Sequence, residues 1–166
     1  MTVPASVALV NLGCPKNLVD AEKMLGSLAS EGYLVGAAPE DADLVIVNTC
    51  GFIEPAKRES IAAIRDAAKL KHNGSGPKLL VAGCLSQRHG AELLAEIPGI
   101  DGLIGVVDRE EAVKAVTRVL AGEGGRVPFL ERVDFRRSPD TVATRVERQA
   151  LAVVGHVQRA DEPGSR

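Results

Sequence analysis

Three cysteines, Cys14, Cys50 and Cys84, are the residues of this chain best suited to chemistry. Each closes a short apolar run: VALVNLGC ends at Cys14, DLVIVNTC at Cys50 and KLLVAGC at Cys84. A thiol inside a core strand packs as a small apolar group. A thiol where the strand stops is held out at the end of a sheet. Thiolates ligate zinc and iron–sulfur clusters, and they are the nucleophiles of redox exchange. Three is an odd count and a poor disulfide framework, which favours a reducing cytoplasm in which thiols stay available. Residue chemistry alone leaves three readings open: structural thiols, redox thiols, or ligands of a metal or cluster. Zinc in a Cys₃His site would draw on His89, which follows Cys84 on a helix turn and is not well placed for it. Three thiolates on a cluster would leave one iron open, the mark of a chemical rather than a structural site.

The elements that must position these thiols read as an α/β domain. SVALVNL (6–12), DLVIVN (43–48), KLLVAG (78–83) and DGLIGV (101–106) are continuous, β-branched and without polar alternation. That is how strands covered on both faces of a parallel sheet read. YLVGA (33–37) would be a shorter edge strand. Helical patterns lie between them. Leu18, Met24, Leu25 and Leu28 recur at helical spacing after Pro15, and Gly32 stops that helix. Ile61, Ile64 and Ala68 share a face of the segment that opens near Pro55. A short helix opens at Ser86 and closes at Pro98–Gly99, and a last one is capped by Asp108.

Strand–helix alternation of this kind implies a flavodoxin-like, three-layer α/β/α fold with a mainly parallel sheet of about five strands, order 2-1-3-4-5. In that order the strands that precede the three cysteines are neighbours. Adjacent strands lie ~4.8 Å apart, so their ends span roughly 10 Å, on the edge where open α/β sheets bind ligands. Cys14, before Pro15, is a helix N-cap. Thiolates near helix N-termini gain from the partial positive charge there. Gly13, Gly51 and Gly83 flank the cysteines and would let backbone pass close to something bulky.

Composition narrows the function classes. The chain has 166 residues, 45% of them hydrophobic and 25% charged, which describes an ordinary globular domain. A net charge of −2 announces no nucleic-acid surface, and 2% aromatic residues supply no base-stacking platform. No apolar stretch approaches the ~20 residues of a membrane span, and no secretory signal is visible. Residues 1–124 form the domain. Residues 125–166 are rich in Arg and lack the alternation, and they read as a linker or tail with partial helix near 141–153. Phe129, Leu130 and Phe135 have little to pack against there, so a tail that is mobile or docks only weakly is expected.

NLGCPKNLVDAE, VNTCGFIEPAKRESI and VAGCLSQRHGAEL resemble the three cysteine motifs of the amino-terminal domain of methylthiotransferases. LGCPKN, NTCGFI and GCLSQR resemble the RimO branch, which methylthiolates an aspartate of the small-subunit ribosomal protein at the decoding centre. The sister branch, which modifies tRNA, typically has Gln-Met where this chain has Pro15-Lys16. The resemblance covers roughly residues 5–120. It implies that Cys14, Cys50 and Cys84 bind an auxiliary 4Fe–4S cluster with one open iron. It also implies a radical domain with a second 4Fe–4S cluster and S-adenosylmethionine, followed by an RNA-binding-like domain. No cysteine follows Cys84, so the CxxxCxxC motif of the radical domain is missing. A fragment or truncated product, inactive alone, is therefore expected. Ala21 and His89 stand where relatives often have Ser and Tyr. The competing readings are the corresponding domain of a tRNA methylthiotransferase, and a non-catalytic α/β binding domain with a Cys₃ zinc site or structural thiols.

Other polar residues carry two readings each. Lys16 and Asn17 are a solvated first helical turn or contacts to the cluster and its sulfur ligand. Asn48 and Thr49 form a turn or donate to cluster sulfurs. Asp20 and Glu22 read as surface charges or as contacts to the missing radical domain, with surface preferred; Lys57-Arg58-Glu59 read as a solvated helix face, and His72 and His156 as exposed.

Overall fold

Unbroken β-branched runs build the centre of one parallel sheet. The computed structural model describes residues 4–72, 75–106, 109–122 and 127–129. Along the chain come β1 (Ser6–Asn11), α1 (Pro15–Ser30), β2 (Leu34–Val35), a 3₁₀ turn at Pro39–Asp41, β3 (Leu44–Thr49) and α2 (Glu54–Lys69). Then follow β4 (Lys78–Gly83), α3 (Cys84–Glu96), β5 (Gly102–Ile104), α4 (Arg109–Ala121) and β6 (Val127–Phe129). The sheet order is β2-β1-β3-β4-β5-β6, and every pairing is parallel. The expected order 2-1-3-4-5 is thus present, with one more strand than the sequence reading placed. The compact unit spans Met1–Leu130. Other expectations placed on 125–166, the partial helix, His156, Leu130 and Phe135 among them, lie outside the described residues, as does Asp108.

All six residues of β3 are buried, and their side chains alternate between two cores. Val45 and Val47 join Leu79, Val81, Ile64 and Ala67 of α2 and Leu93 of α3 on one face. Leu44 and Ile46 join Leu80, Ala82, Met24 and Leu28 of α1 and Val116 and Val119 of α4 on the other. A period of two with both faces covered is the reason the run carries no polar alternation. Each fully buried Leu or Ile contributes roughly 1.5–3 kcal/mol.

Local details depart from the sequence reading in four places. Leu18 is 43% exposed; α1 buries Asn17, Ala21, Met24 and Leu28 instead. The 33–37 strand shrinks to Leu34–Val35, because Gly36 turns away at φ 91°. α3 begins at Cys84 rather than at Ser86 and kinks at His89, with φ −127° and ψ 24°. The 101–106 run narrows to Gly102–Ile104.

The amino edge of the sheet is closed by charge. The Asp43 carboxylate accepts from the Ser6 N–H at 2.7 Å and the Ser6 hydroxyl at 2.8 Å. Asp101 accepts from the Leu79 N–H at 2.7 Å and pairs with Lys71, and Lys78 lies 3.8 Å from its other oxygen.

Candidate metal centre

Parallel pairing carries the three cysteines to the opposite, carboxyl edge. In the register, Asn11 faces Asn48 and Thr49 faces Gly83. Cys50 follows β3 directly, Cys84 is the first residue of α3 directly after β4, and Cys14 is the N-cap of α1 just beyond β1. All three thiols are free: Cys14 is exposed, Cys50 buried and Cys84 half-buried.

The loops that bear them are pressed together by glycine. A Cβ at Gly13, where φ is +98°, would sit 2.4 Å from the Cys50 Cβ and 3.0 Å from its Sγ. One at Gly51 would sit 3.1 Å from the Leu85 Cα, beside Cys84, and one at Gly83 would sit 2.5 Å from the Thr49 carbonyl oxygen. What these glycines admit is therefore the neighbouring cysteine loop itself, not only room for a ligand. The thiols also sense each other. Burial pushes the Cys84 thiol pKa up; the Lys16 charge opposes this, Cys50 and Cys14 add to the rise, and Arg88 opposes it.

Among the described residues, no three His, Cys, Asp or Glu side chains are arranged to hold a single metal ion. A tetrahedral zinc, with Zn–S near 2.3 Å, would need thiols about 4 Å apart. His89 joins no such ligand group among the described residues; its Nδ1 pairs with Glu92 at 3.0 Å. The donor set is sulfur alone, on loops from three neighbouring strands. Thiolates of this kind ligate zinc or the irons of an iron–sulfur cluster.

A buried polar frame underlies the thiols. The buried polar side chains of the described residues are Asn17, Asn48, Thr49, Ser60 and Ser86, and all of them serve this edge. Asn17 donates both amide protons, to the Leu12 carbonyl at 2.8 Å and the Thr49 carbonyl at 2.9 Å. Asn48 donates to Asn11 Oδ1 at 2.9 Å and to the Asn17 carbonyl at 3.0 Å. The Thr49 hydroxyl donates to the Ala82 carbonyl at 2.6 Å. Ser60, on α2, accepts from the Cys50 N–H at 3.1 Å and donates to the Cys50 carbonyl at 2.8 Å. Ser86 bonds the Gly83 carbonyl at 2.8 Å and also the Ile104 carbonyl.

These bonds revise two readings, of Asn17 and of the Asn48–Thr49 pair, and give Lys16 a partner. Asn17 is not solvated. The Asn48 and Thr49 donors are committed to protein acceptors rather than to sulfur. Lys16 forms an ion pair with Asp20 at 3.1 Å at the rim of the site. Ser60 escaped the sequence reading altogether. The one available signal was a serine at a core-facing position of α2, in step with Ile64 and Ala67.

Residues 6–105 match the model of the uncharacterized protein family UPF0004. The chain belongs to this family. The UPF0004 match contains all three cysteines. Over 121 residues the chain is 55% identical to the ribosomal protein uS12 methylthiotransferase RimO of Pelotomaculum thermopropionicum, which covers 73% of this chain and 27% of that protein. The RimO of Symbiobacterium thermophilum is 42% identical over 153 residues, 92% of this chain and 30% of that protein. The RimO of Koribacter versatilis is 46% identical over 167 residues, 99% of this chain and 33% of that protein. The chain thus spans about a quarter to a third of the length of these relatives. The resemblance carried by LGCPKN, NTCGFI and GCLSQR is borne out by these matches. No helix among the described residues is long and apolar enough to cross a membrane.

Proposed function

We propose that this UPF0004 domain holds a 4Fe–4S cluster through Cys14, Cys50 and Cys84, one iron having no protein ligand. We place it as the amino-terminal part of a radical S-adenosylmethionine methylthiotransferase that adds a methylthio group to an aspartate of ribosomal protein uS12. The observation that supports this best is the arrival of three free thiols, from three adjacent parallel strands, at one sheet edge in a chain similar to RimO. When bound, such a cluster would supply an open iron for a sulfur ligand. The chain's own residues would do the rest. Cys14, the exposed thiol, is the natural first contact for incoming iron. Cys50 is held by Ser60 at both its N–H and its carbonyl, so its thiol starts from a fixed backbone. Lys16 and Arg88 favour the thiolate of Cys84 against burial and two like charges. S-adenosylmethionine and the second cluster belong to the radical domain, whose CxxxCxxC motif this sequence lacks.

Anaerobic reconstitution with iron and sulfide tests the reading. The chain should turn brown, with broad visible absorption, and each of Cys14→Ala, Cys50→Ala and Cys84→Ala should lose most of its iron and sulfide. His89→Ala should retain both. A colourless chain, or iron content that depends on only one or two of the cysteines, would refute the three-thiolate site. With S-adenosylmethionine, reductant and uS12, this chain alone should form no methylthiolated product.

A further inference from the structure

Two buried side chains link the three cysteine-bearing segments in series. Asn17 stands on the first turn of α1, 3% exposed. Its amide nitrogen reaches Leu12 O, just before Gly13 and Cys14, and Thr49 O, the carbonyl joined to Cys50. Both partners are carbonyls, so only the nitrogen end of the amide can satisfy them, and both of its protons are used. Thr49, fully buried, then passes its hydroxyl to Ala82 O, two residues before Cys84. The first link joins the Cys14 segment to the Cys50 segment, and the second joins the Cys50 segment to the Cys84 segment. No backbone hydrogen bond does the work of the first link beyond Leu12, whose N–H reaches Asn48 O at 3.0 Å. Past that point two buried amides tie the Gly13–Cys14 turn to β3: Asn48 donates to the Asn17 carbonyl at 3.0 Å, behind the turn, and Asn17 donates to the Thr49 carbonyl, next to Cys50.

We propose that Asn17 and Thr49 are positioning residues: Asn17 sets the separation of the Cys14 and Cys50 thiols, and Thr49 that of the Cys50 and Cys84 thiols, before any group is bound. The consequence for a cluster rests on the function proposed above; the spacing itself does not. Neither side chain needs to touch the bound group. Asn17 acts through the carbonyl joined to Cys50, and Thr49 through a carbonyl two residues before Cys84, and together they hold the site open at a separation that protein folding, not the ligand, determines.

The test separates the two pairs. In the cluster-free chain, Cys84→Ala leaves Cys14 and Cys50, and Cys14→Ala leaves Cys50 and Cys84. Dibromobimane, which becomes fluorescent only when it bridges two nearby thiols, reports each pair. Asn17→Asp keeps the shape but replaces two donors by an acceptor. It should slow bridging of Cys14 to Cys50 several-fold and leave Cys50 to Cys84 unchanged. Thr49→Val removes the hydroxyl at nearly constant volume. It should show the reverse selectivity, and Thr49→Ser should restore bridging. Equal effects on both pairs, no effect on either, or loss of the far-ultraviolet helical signal in the variants would overturn the proposal, because each would make these residues general stabilisers or spectators. In the reconstituted chain the same variants should alter the electron paramagnetic resonance spectrum of the reduced cluster. If wild-type protein takes up no cluster while the bridging pattern holds, the function fails and the positioning stands.

Discussion

The two edges of the sheet are closed by different chemistry. At the amino edge, charged groups on the surface or partly buried do the work: Asp43 on Ser6, and Asp101 on Lys71, Lys78 and the Leu79 N–H. At the carboxyl edge, neutral amides and hydroxyls do it, and they are buried. No buried side-chain nitrogen or oxygen among the described residues lacks a partner. The difference teaches what each edge tolerates. A frame beneath gathered thiols must be rigid and add no further negative charge, since Cys84 already feels Cys14 and Cys50. Amides and hydroxyls meet both demands, provided every donor is satisfied, because a half-satisfied buried network is costly. The amino edge faces water and bears no such restriction.

The largest effect is expected where the carboxyl edge is tightest. Gly13→Ala puts a methyl group 2.4 Å from the Cys50 Cβ, at a φ of +98° that L-residues avoid. Strain and overpacking together should cost about 3 kcal/mol. Urea unfolding of the cluster-free chain checks the stability loss, and iron analysis after reconstitution should show a matching loss of uptake. Wild-type stability in this variant would mean that the Gly13 loop is not pressed on Cys50.

A smaller effect, of the opposite kind, is expected at the amino edge. Asp101→Ala leaves Lys71 with the Gly99 carbonyl as its remaining partner and removes the acceptor of the Leu79 N–H, at a cost of about 2 kcal/mol. Iron uptake should be unchanged once the protein is folded. Comparable losses of iron in Asp101→Ala and Gly13→Ala would erase the division between the edges.

Smaller again is an electrostatic effect within the thiol edge. Burial raises the Cys84 pKa and the Lys16 charge works against that rise. Lys16→Gln removes the opposing charge and frees Asp20, its partner, so the thiol should move further up. Alkylation of Cys84 by iodoacetamide in the cluster-free chain, followed by mass spectrometry from pH 7 to about 10, should shift to more alkaline pH. A shift towards acid would reverse the assigned role of Lys16.

Much of this was legible beforehand, for a physical reason. β1, β3 and β4 are covered on both faces, so their sequences are unbroken apolar runs, and parallel pairing then obliges Cys14, Cys50 and Cys84 to share an edge. The frame was harder to read. Asn17 and Ser60 look like ordinary exposed helix polar residues until tertiary contacts bury them, and Leu18 shows the converse, an apolar residue at helical spacing left in solvent. β6 was missed because a three-residue run with Pro128 in it carries little strand signal; proline is tolerated there because β6 is an edge strand. The helix start at Cys84 was missed because Gly83, at φ +98°, turns the strand directly into α3 without a capping side chain.

The smallest expected effect tests whether charge at the amino edge is the replaceable part. Two hydrogen bonds from Ser6, through its N–H and its hydroxyl, hold the Asp43 carboxyl below its usual value of 3.8, against a slight opposing effect of burial. The folded state therefore binds the Asp43 proton less readily than the unfolded state does. Stability from this group is fully present above the unfolded value and is lost as pH falls through the lower folded one. Asp43→Asn removes that dependence and keeps a weaker acceptor for Ser6. Because Asp43 is exposed, solvent screens the interaction, and the loss at neutral pH should be slight. Urea midpoints of wild type and variant should differ a little at neutral pH and draw together as the pH falls below the usual carboxyl value of 3.8. Iron uptake should not change. Midpoints that diverge as the solution is acidified would reverse the sign of the Asp43 contribution, and lost iron uptake would tie Ser6 and Asp43 to the thiols across the full length of β1 and β3.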